Sequence, residues 1–292
     1  MYENNNGVTQ EVQAAAPQKK SGGNWVWISF VLVGIALLVI GIILFNNTDV
    51  KKYAKIKDFS ESYSAADVKR FNLEIGWADL TVGKSNDDKI YVEAKNVPEG
   101  FTAGVRGDTF STEFSEKKIH FYMLPSWLNG SDSNNAVVDI KLPDKEYESF
   151  VLDLGAGETD MAGFKCGKFR VDCGAGDVTL EDIDCEEGNL ECGAGQVTVN
   201  GIKCSSKLNI DGGAGEVVVS SAVLGGLDAD QGVGELNFTG TVNGDIDIAG
   251  GVGEIVVNLT NPESDFVGSG SKYKIDIDTG VGSKTVNYNV SR

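Results

Sequence analysis

The chain has 292 residues, a formal net charge of −18 at pH 7, 37 glycines and 5 prolines. Such an acidic balance excludes nucleic-acid binding, which needs basic surface. A single histidine, His120, excludes a multi-histidine zinc site, and a lone His in an alternating strand is far more often solvated or packed than catalytic.

Residues 1–24 are polar, with Lys19, Lys20, Gly22 and Gly23 near their end, and are predicted to be a disordered tail. Residues 25–45, from Trp25 to Phe45, carry no charge and are mostly Val, Ile, Leu and Gly. About 20 apolar residues cross a bilayer as a helix. Trp25 and Trp27 suit an interfacial aromatic belt. A cleaved signal peptide has a shorter apolar core and small residues at the cut. Asn46-Asn47-Thr48-Asp49 offers no such cut, so one retained transmembrane α-helix is predicted. Residues 46–69 read as a linker carrying Lys51, Lys52, Lys55 and Lys57. Counted against Lys19 and Lys20, these lysines favour a cytoplasmic C-terminal region.

Residues 70–148 read as irregular first coils or a β cap. Strands are expected at Ile90–Ala94, Phe110–Phe114, Lys118–Met123 and Val137–Pro143, and an exposed loop at 126–135. His120 lies in an alternating strand pattern, where a lone His is solvated or packed. Within this region, Phe71 to Val82 is a degenerate copy of a phrase that recurs further on.

That phrase fills residues 149–292. Gly155-Ala156-Gly157 returns from Gly174, Gly193, Gly213, Gly232, Gly251 and Gly280, in steps of 19, 19, 20, 19, 19 and 29 residues. A period near twenty marks a solenoid, whose coils bury their apolar face only against neighbouring coils. Three residues before each first Gly stand Leu152, Val171, Leu190, Ile210, Ala229, Ile248 and Ile277. Four and six residues after it stand pairs such as Val178 and Leu180, or Ile255 and Val257. Period-2 alternation makes these inward columns of strands. The residue between the glycines, Ala156 through Val281, is expected to extend the inward face. The corner then falls on the second Gly and the residue after it. A third apolar pair follows in Phe164 and Cys166, Ile183 and Cys185, and Ile202 and Cys204. A dinucleotide loop would need a third Gly and a helix, but strand formers such as Val217-Val218-Val219 follow. The expected fold is all-β: a right-handed parallel β-helix with about 19 residues per coil.

The columns also hold the candidate site residues. Asp153, Asp172, Glu191, Asp211 and Asp230 form an outward acidic column that returns at Asp278 after Ala249. A second column holds Glu158, Asp177, Glu216, Glu235 and Glu254. Both read either as a solvated face that keeps sheets soluble or as a surface for a divalent cation or a cationic partner. Calcium is the candidate cation, with the first five acids as candidate ligands. The Asp position of the calcium-binding nonapeptide is absent. Paired carboxylates could serve a polysaccharide-cleaving enzyme, but too many acids are equivalent for two to stand out. Cys166, Cys185 and Cys204 form one internal column, and Cys173 and Cys192 a second. They read as small apolar core residues, and an odd count excludes a complete disulfide framework. No catalytic residue or cofactor is predicted.

The apolar span, then Val137-Val138-Asp139-Ile140-Lys141-Leu142-Pro143, then Phe150 to Glu158 and the Gly-x-Gly coils, resemble a bacterial family of unknown function labelled "putative adhesin", common in Gram-positive bacteria. The resemblance covers about residues 66–292. It implies a β-solenoid on a single-pass membrane protein, placed outside the cytoplasm, against the lysine count. Some relatives are linked to cell-envelope stress. It implies no catalytic residues. The expected role is a non-enzymatic envelope or surface interaction module, with an unidentified protein or glycan partner. The alternatives are a structural module that stacks end to end and a polysaccharide-acting enzyme.

Overall fold

The computed structural model describes residues 56–114 and 136–291. The expected tail, the transmembrane helix at 25–45, His120 and the loop at 126–135 lie outside the described residues. Among the described residues no helix is long and apolar enough to cross a membrane.

The described chain is all-β. Its strands are β1 (Ile56–Ser64), β2 (Arg70–Trp77), β3 (Asp79–Lys84), β4 (Lys89–Pro98), β5 (Phe101–Arg106), β6 (Thr109–Phe114) and β7 (Val137–Leu142). They continue as β8 (Glu146–Ala162), β9 (Lys165–Cys204), β10 (Leu208–Leu224), β11 (Leu227–Val242), β12 (Ile246–Leu259) and β13 (Ile275–Asn287). From β8 to β13 each strand pairs in parallel with the next in sequence, giving an open, solenoid-like sheet. Leu236 pairs with Ile255 and Ile246 with Ile275, so sequence offsets of 19 and 29 both advance the stack by one strand. The degenerate phrase joins the same stack, since Leu73 pairs with Leu152 and Ile75 with Leu154.

Extended backbone runs through the corners, and glycine permits it. A Cβ on Gly174 would stand 2.8 Å from the Gly155 carbonyl oxygen, and one on Gly280 would stand 2.6 Å from that of Gly251. At the second Gly the approach is closer still: a Cβ on Gly234 would overlap the Gly215 carbonyl oxygen. Gly234 also sits at φ 139°, where side chains are strained.

The corner begins earlier than alternation predicts. The residue between the glycines does not extend the inward face: Val233, Val252 and Val281 are 56%, 49% and 68% exposed. The inward face ends instead one residue before the first Gly, at buried Leu154, Cys173, Cys192 and Gln231. The turn at the first Gly sends the following side chain out at the apex. The three apolar columns otherwise fill one continuous core. Each fully buried Val, Leu, Ile or Phe there contributes about 1.5–3 kcal/mol.

Antiparallel strands cover the N-terminal end. β1 pairs with β4, β4 with β7 and β5 with β6, all antiparallel. β6 and β7 then join the first coil through β2 and β3. Aromatic rings fill the junction: Phe71 stacks on Phe150 at 4.9 Å, and Trp77 meets Phe114 edge-on at 5.5 Å. The predicted linker is corrected here. Residues 56–64 form β1, where half-buried Phe59 packs edge-on against Phe101 at 5.3 Å. The surrounding lysines and serines hid the pattern.

The opposite end is closed piecemeal. The 29-residue step carries a 3-10 turn at Glu263–Asp265 and buries Phe266 against Tyr273 at 5.7 Å. The buried Asn261 amide takes the place of a strand. Its Nδ2 donates to Val242 O at 3.0 Å, and its Oδ1 accepts from Val242 N at 2.9 Å. Lys284 pairs with Ile255 and so occupies a column that is apolar in the coils before it. Its ammonium turns back to donate to the Ile277 carbonyl. Another sheet edge stacked on β13 would have to cover that charge, a common guard against edge pairing.

Two outcomes test this architecture in the full-length chain. Gly234→Ala should cost about 3 kcal/mol or more. Gly104→Ala, where an added Cβ meets nothing within 4 Å, should change stability by about 1 kcal/mol or less. Equal urea midpoints for the two variants would contradict the corner argument. Lys284→Ile should gain end-to-end association, read as a rise in light-scattering mass over wild type. An unchanged mass would remove the guarding role.

Candidate functional site

The strand stretch before each first Gly carries the first acidic column in register. Glu74 pairs with Asp153, Asp153 with Asp172, Glu191 with Asp211 and Asp211 with Asp230. Ala249 then interrupts before Asp278. Strand spacing near 4.8 Å makes this a straight row. Among the described residues no three His, Cys, Asp or Glu side chains converge where a metal ion could sit. Calcium takes six to eight oxygen ligands around one point. The five candidate ligands are aligned but not gathered. Part of the row is already neutralised: the Arg170 guanidinium lies 2.8 Å from Glu191 and 3.7 Å from Asp172. Asn189 Nδ2 also donates to Glu191 at 3.0 Å.

The second acidic row runs along the far side of the corner. Glu158 pairs with Asp177, Gln196 with Glu216, Glu216 with Glu235 and Glu235 with Glu254. Gln196 Nε2 donates to Glu216 at 3.1 Å, and Asp79 Oδ1 accepts from the Glu158 N–H at 3.2 Å.

Between the two rows runs the apex that sequence alternation placed inside. Its ladder is Ala156, Ala175, Ala194 and Ala214, then Val233, Val252 and Val281. Between its flanking glycines Ala156 is half-buried and the rest of the ladder is exposed. The result is an exposed apolar ridge, largest at the valine end, rimmed on both sides by carboxylates. The signal that could have found it was the strict restriction of this position to Ala or Val between two glycines. Beside the ridge, Gln231, Gly250, Gly251, Val252, Ile255 and Thr279 line a shallow depression. Gln231 Nε2 donates to Gly215 O at 3.3 Å, and its buried Oε1 has no partner. Glycine at position 212 leaves the room that the amide occupies.

The cysteines lie on the inner side, all five buried and free. Burial, with the charges of Cys192, Asp172 and Asp177, pushes the Cys173 thiol up to about 11. Burial also pushes Cys166 up to about 12 and raises Cys192. For Cys204 the hydrogen bond with Cys185 raises the pKa first and burial second. Protonated, enclosed thiols are poor nucleophiles and poor metal ligands.

A family model described as Toastrack DUF4097 matches residues 68–286. No curated protein matches the chain. Among solved structures, a "putative cell adhesion protein" from Clostridium sporogenes ATCC 15579 is 15% identical, with TM-score 0.30, covering 80% of this chain and 100% of that one. A "putative adhesin" from Parabacteroides merdae ATCC 43184 is 14% identical, with TM-score 0.40, covering 80% and 97%. A "putative lipid binding protein" from Parabacteroides distasonis ATCC 8503 is 16% identical, with TM-score 0.36, covering 82% and 98%.

The buried thiols give a pH-dependent outcome. The ordinary thiol value is 9.0, and Cys173 is pushed to about 11 in the folded state. Between these values the folded chain keeps a proton that the unfolded chain has released. The stabilisation is therefore complete below about pH 9 and lost as pH rises through about 11. Cys173→Val with Cys192→Val should cost less than about 1.5 kcal/mol at neutral pH, being a swap of small apolar groups. The double variant should then lose less stability than wild type between pH 9 and 11. Parallel denaturation profiles over that range would contradict the assignment.

Proposed function

The chain belongs to the Toastrack DUF4097 family, and on that premise we propose that it is a non-enzymatic interaction module of the bacterial cell envelope, anchored in the membrane by residues 25–45. Its coils wind right-handed, at about 19 residues each, and lie outside the cytoplasm. The observation that carries this reading is the exposed ladder of Val233, Val252 and Val281 between two rows of carboxylates. A contiguous apolar strip rimmed by charge marks a contact surface. Complementary charge would select a partner that presents apolar groups flanked by cationic ones. The straight strip suits recognition along its length. The shallow depression beside it is lined by glycine and apolar or neutral side chains, with no acid–base pair among its lining.

The reading is tested in living cells with a photo-crosslinking residue at position 252, compared with one at position 104, which faces open space on β5. Irradiation should give a discrete adduct from position 252 alone, and protease added to intact protoplasts should remove it. Equal adduct patterns from both positions would sink the interaction surface. Full protection from protease would sink the external placement.

A further inference from the structure

Cys166, Cys185 and Cys204 stack along the third side of successive coils, and two of them are brought together more closely than stacking requires. Cys185 Sγ lies 2.8 Å from Cys204 Sγ, inside the core. Their stretches of β9 lie side by side in successive coils, as the Ser205 N–H donates to the Cys185 carbonyl at 3.1 Å. Neighbouring strands lie roughly 4.8 Å apart, within the roughly 4.4–6.8 Å Cα separation that a disulfide spans.

A second feature builds the same place. Five residues before each first Gly, the column holds Phe150, Phe169, Leu208, Leu227 and Ile246, all buried. The coil of the sulfur pair alone has Gly188 there. A Cβ on Gly188 would stand 3.0 Å from Cys204 Sγ and 3.7 Å from Cys185 Sγ. The room left by the missing side chain is shared by Leu208 Cδ1, the nearest atom at 2.8 Å, and Cys204 Sγ, with Cys185 Sγ at its edge. Cys166, one coil earlier, has Phe169 in the corresponding position of its own coil.

We propose that Cys185 and Cys204 are an inter-coil disulfide site that closes as the chain folds in an oxidising compartment. The co-reactant is a disulfide donor, either a thiol–disulfide oxidoreductase or a small-molecule disulfide. One of the two cysteines, as thiolate, attacks the donor disulfide, forming a mixed disulfide and releasing one donor thiol. The second then attacks the protein sulfur of that mixed disulfide and releases the other donor thiol. The two cysteines lose two protons and two electrons, and the donor disulfide takes them up as two thiols. Timing follows from burial. Once the coils close, both sulfurs are covered, so oxidation precedes closure and reduction afterwards requires opening. Cys166, Cys173 and Cys192 remain as thiols.

The test uses the full chain in detergent, unfolded and refolded with oxidised and reduced glutathione, then denatured without reductant and alkylated. The expected result is alkylation of three of the five cysteines, with peptides containing Cys185 and Cys204 joined. Cleavage at Glu186, Glu187 and Glu191 separates Cys185 from Cys192, and cleavage after Lys203 separates Cys192 from Cys204. The oxidised protein should melt higher than the same sample treated with reductant. Cys204→Ser should leave all four remaining thiols free and abolish that difference, and Cys166→Ser should preserve it. Five alkylated thiols in refolded wild type, or a bridge at any other pair, overturns the proposal. Cells lysed in alkylating agent supply a separate arm. A bridge found there supports the external placement as well. A bridge that forms on refolding but is missing from cells leaves the site standing and refutes only the placement.

Discussion

The architecture depends on one close approach: backbone against backbone at the Gly-x-Gly corner. Each coil lays its two glycines onto the carbonyl oxygens of the coil before it, with no room for a Cβ at either. This contact sets three things together. It holds the parallel register, because a slip of one residue would drive Ala or Val into the carbonyl. It forces the turn, which ends the first inward strand at Leu154 and its equivalents. It also lifts the intervening side chain to the apex, where it can only face outward. The exposed ridge is thus a by-product of the constraint that builds the core.

A stack held in this way needs its ends managed, and the two ends are managed differently. At the start, β1 and β4–β7 lie over the first coil, and aromatic rings such as Phe71 and Phe150 fill the junction. At the far end three separate devices are used. Asn261 imitates a strand on one side, Phe266 is tucked under the inserted turn, and Lys284 puts an ammonium where the five coils before it have valine, leucine or isoleucine. These devices favour a solenoid of finite length over an indefinitely stacked one.

Much of this was legible in the sequence because a solenoid writes its structure as columns. The inward positions three residues before and four and six residues after the first Gly were readable, as was the degenerate first coil at Leu73 and Ile75. The acidic rows were readable as rows, though not as the row-without-cage that the register produces. Failure came where alternation meets a corner. Period-2 reasoning carries the inward face from Cys173 on to Ala175 and has no means of knowing that the backbone has already turned. β1 escaped notice because its packing rests on Phe59 and Tyr63 among lysines and serines. The gap at Gly188 was visible as the missing apolar residue in its column, yet its meaning depends on Cys204 arriving from the next coil. The choice of partner leaves no trace in the columns, since an apolar ridge rimmed by acid specifies a chemistry and not a molecule.

The central claim is that successive coils advance by one strand spacing whatever their length in residues. Spin labels placed on the outward acidic column measure this directly in the full-length chain. From Asp153 to Asp230 there are four coil steps, or about 19 Å, and from Asp153 to Asp278 six steps, or about 29 Å. The 29-residue final step should add the same increment as a 19-residue one. Label separations that grow by one strand spacing per coil would bear out the stacked register. A disproportionate jump across the final step, or separations that do not scale with coil number, would contradict it.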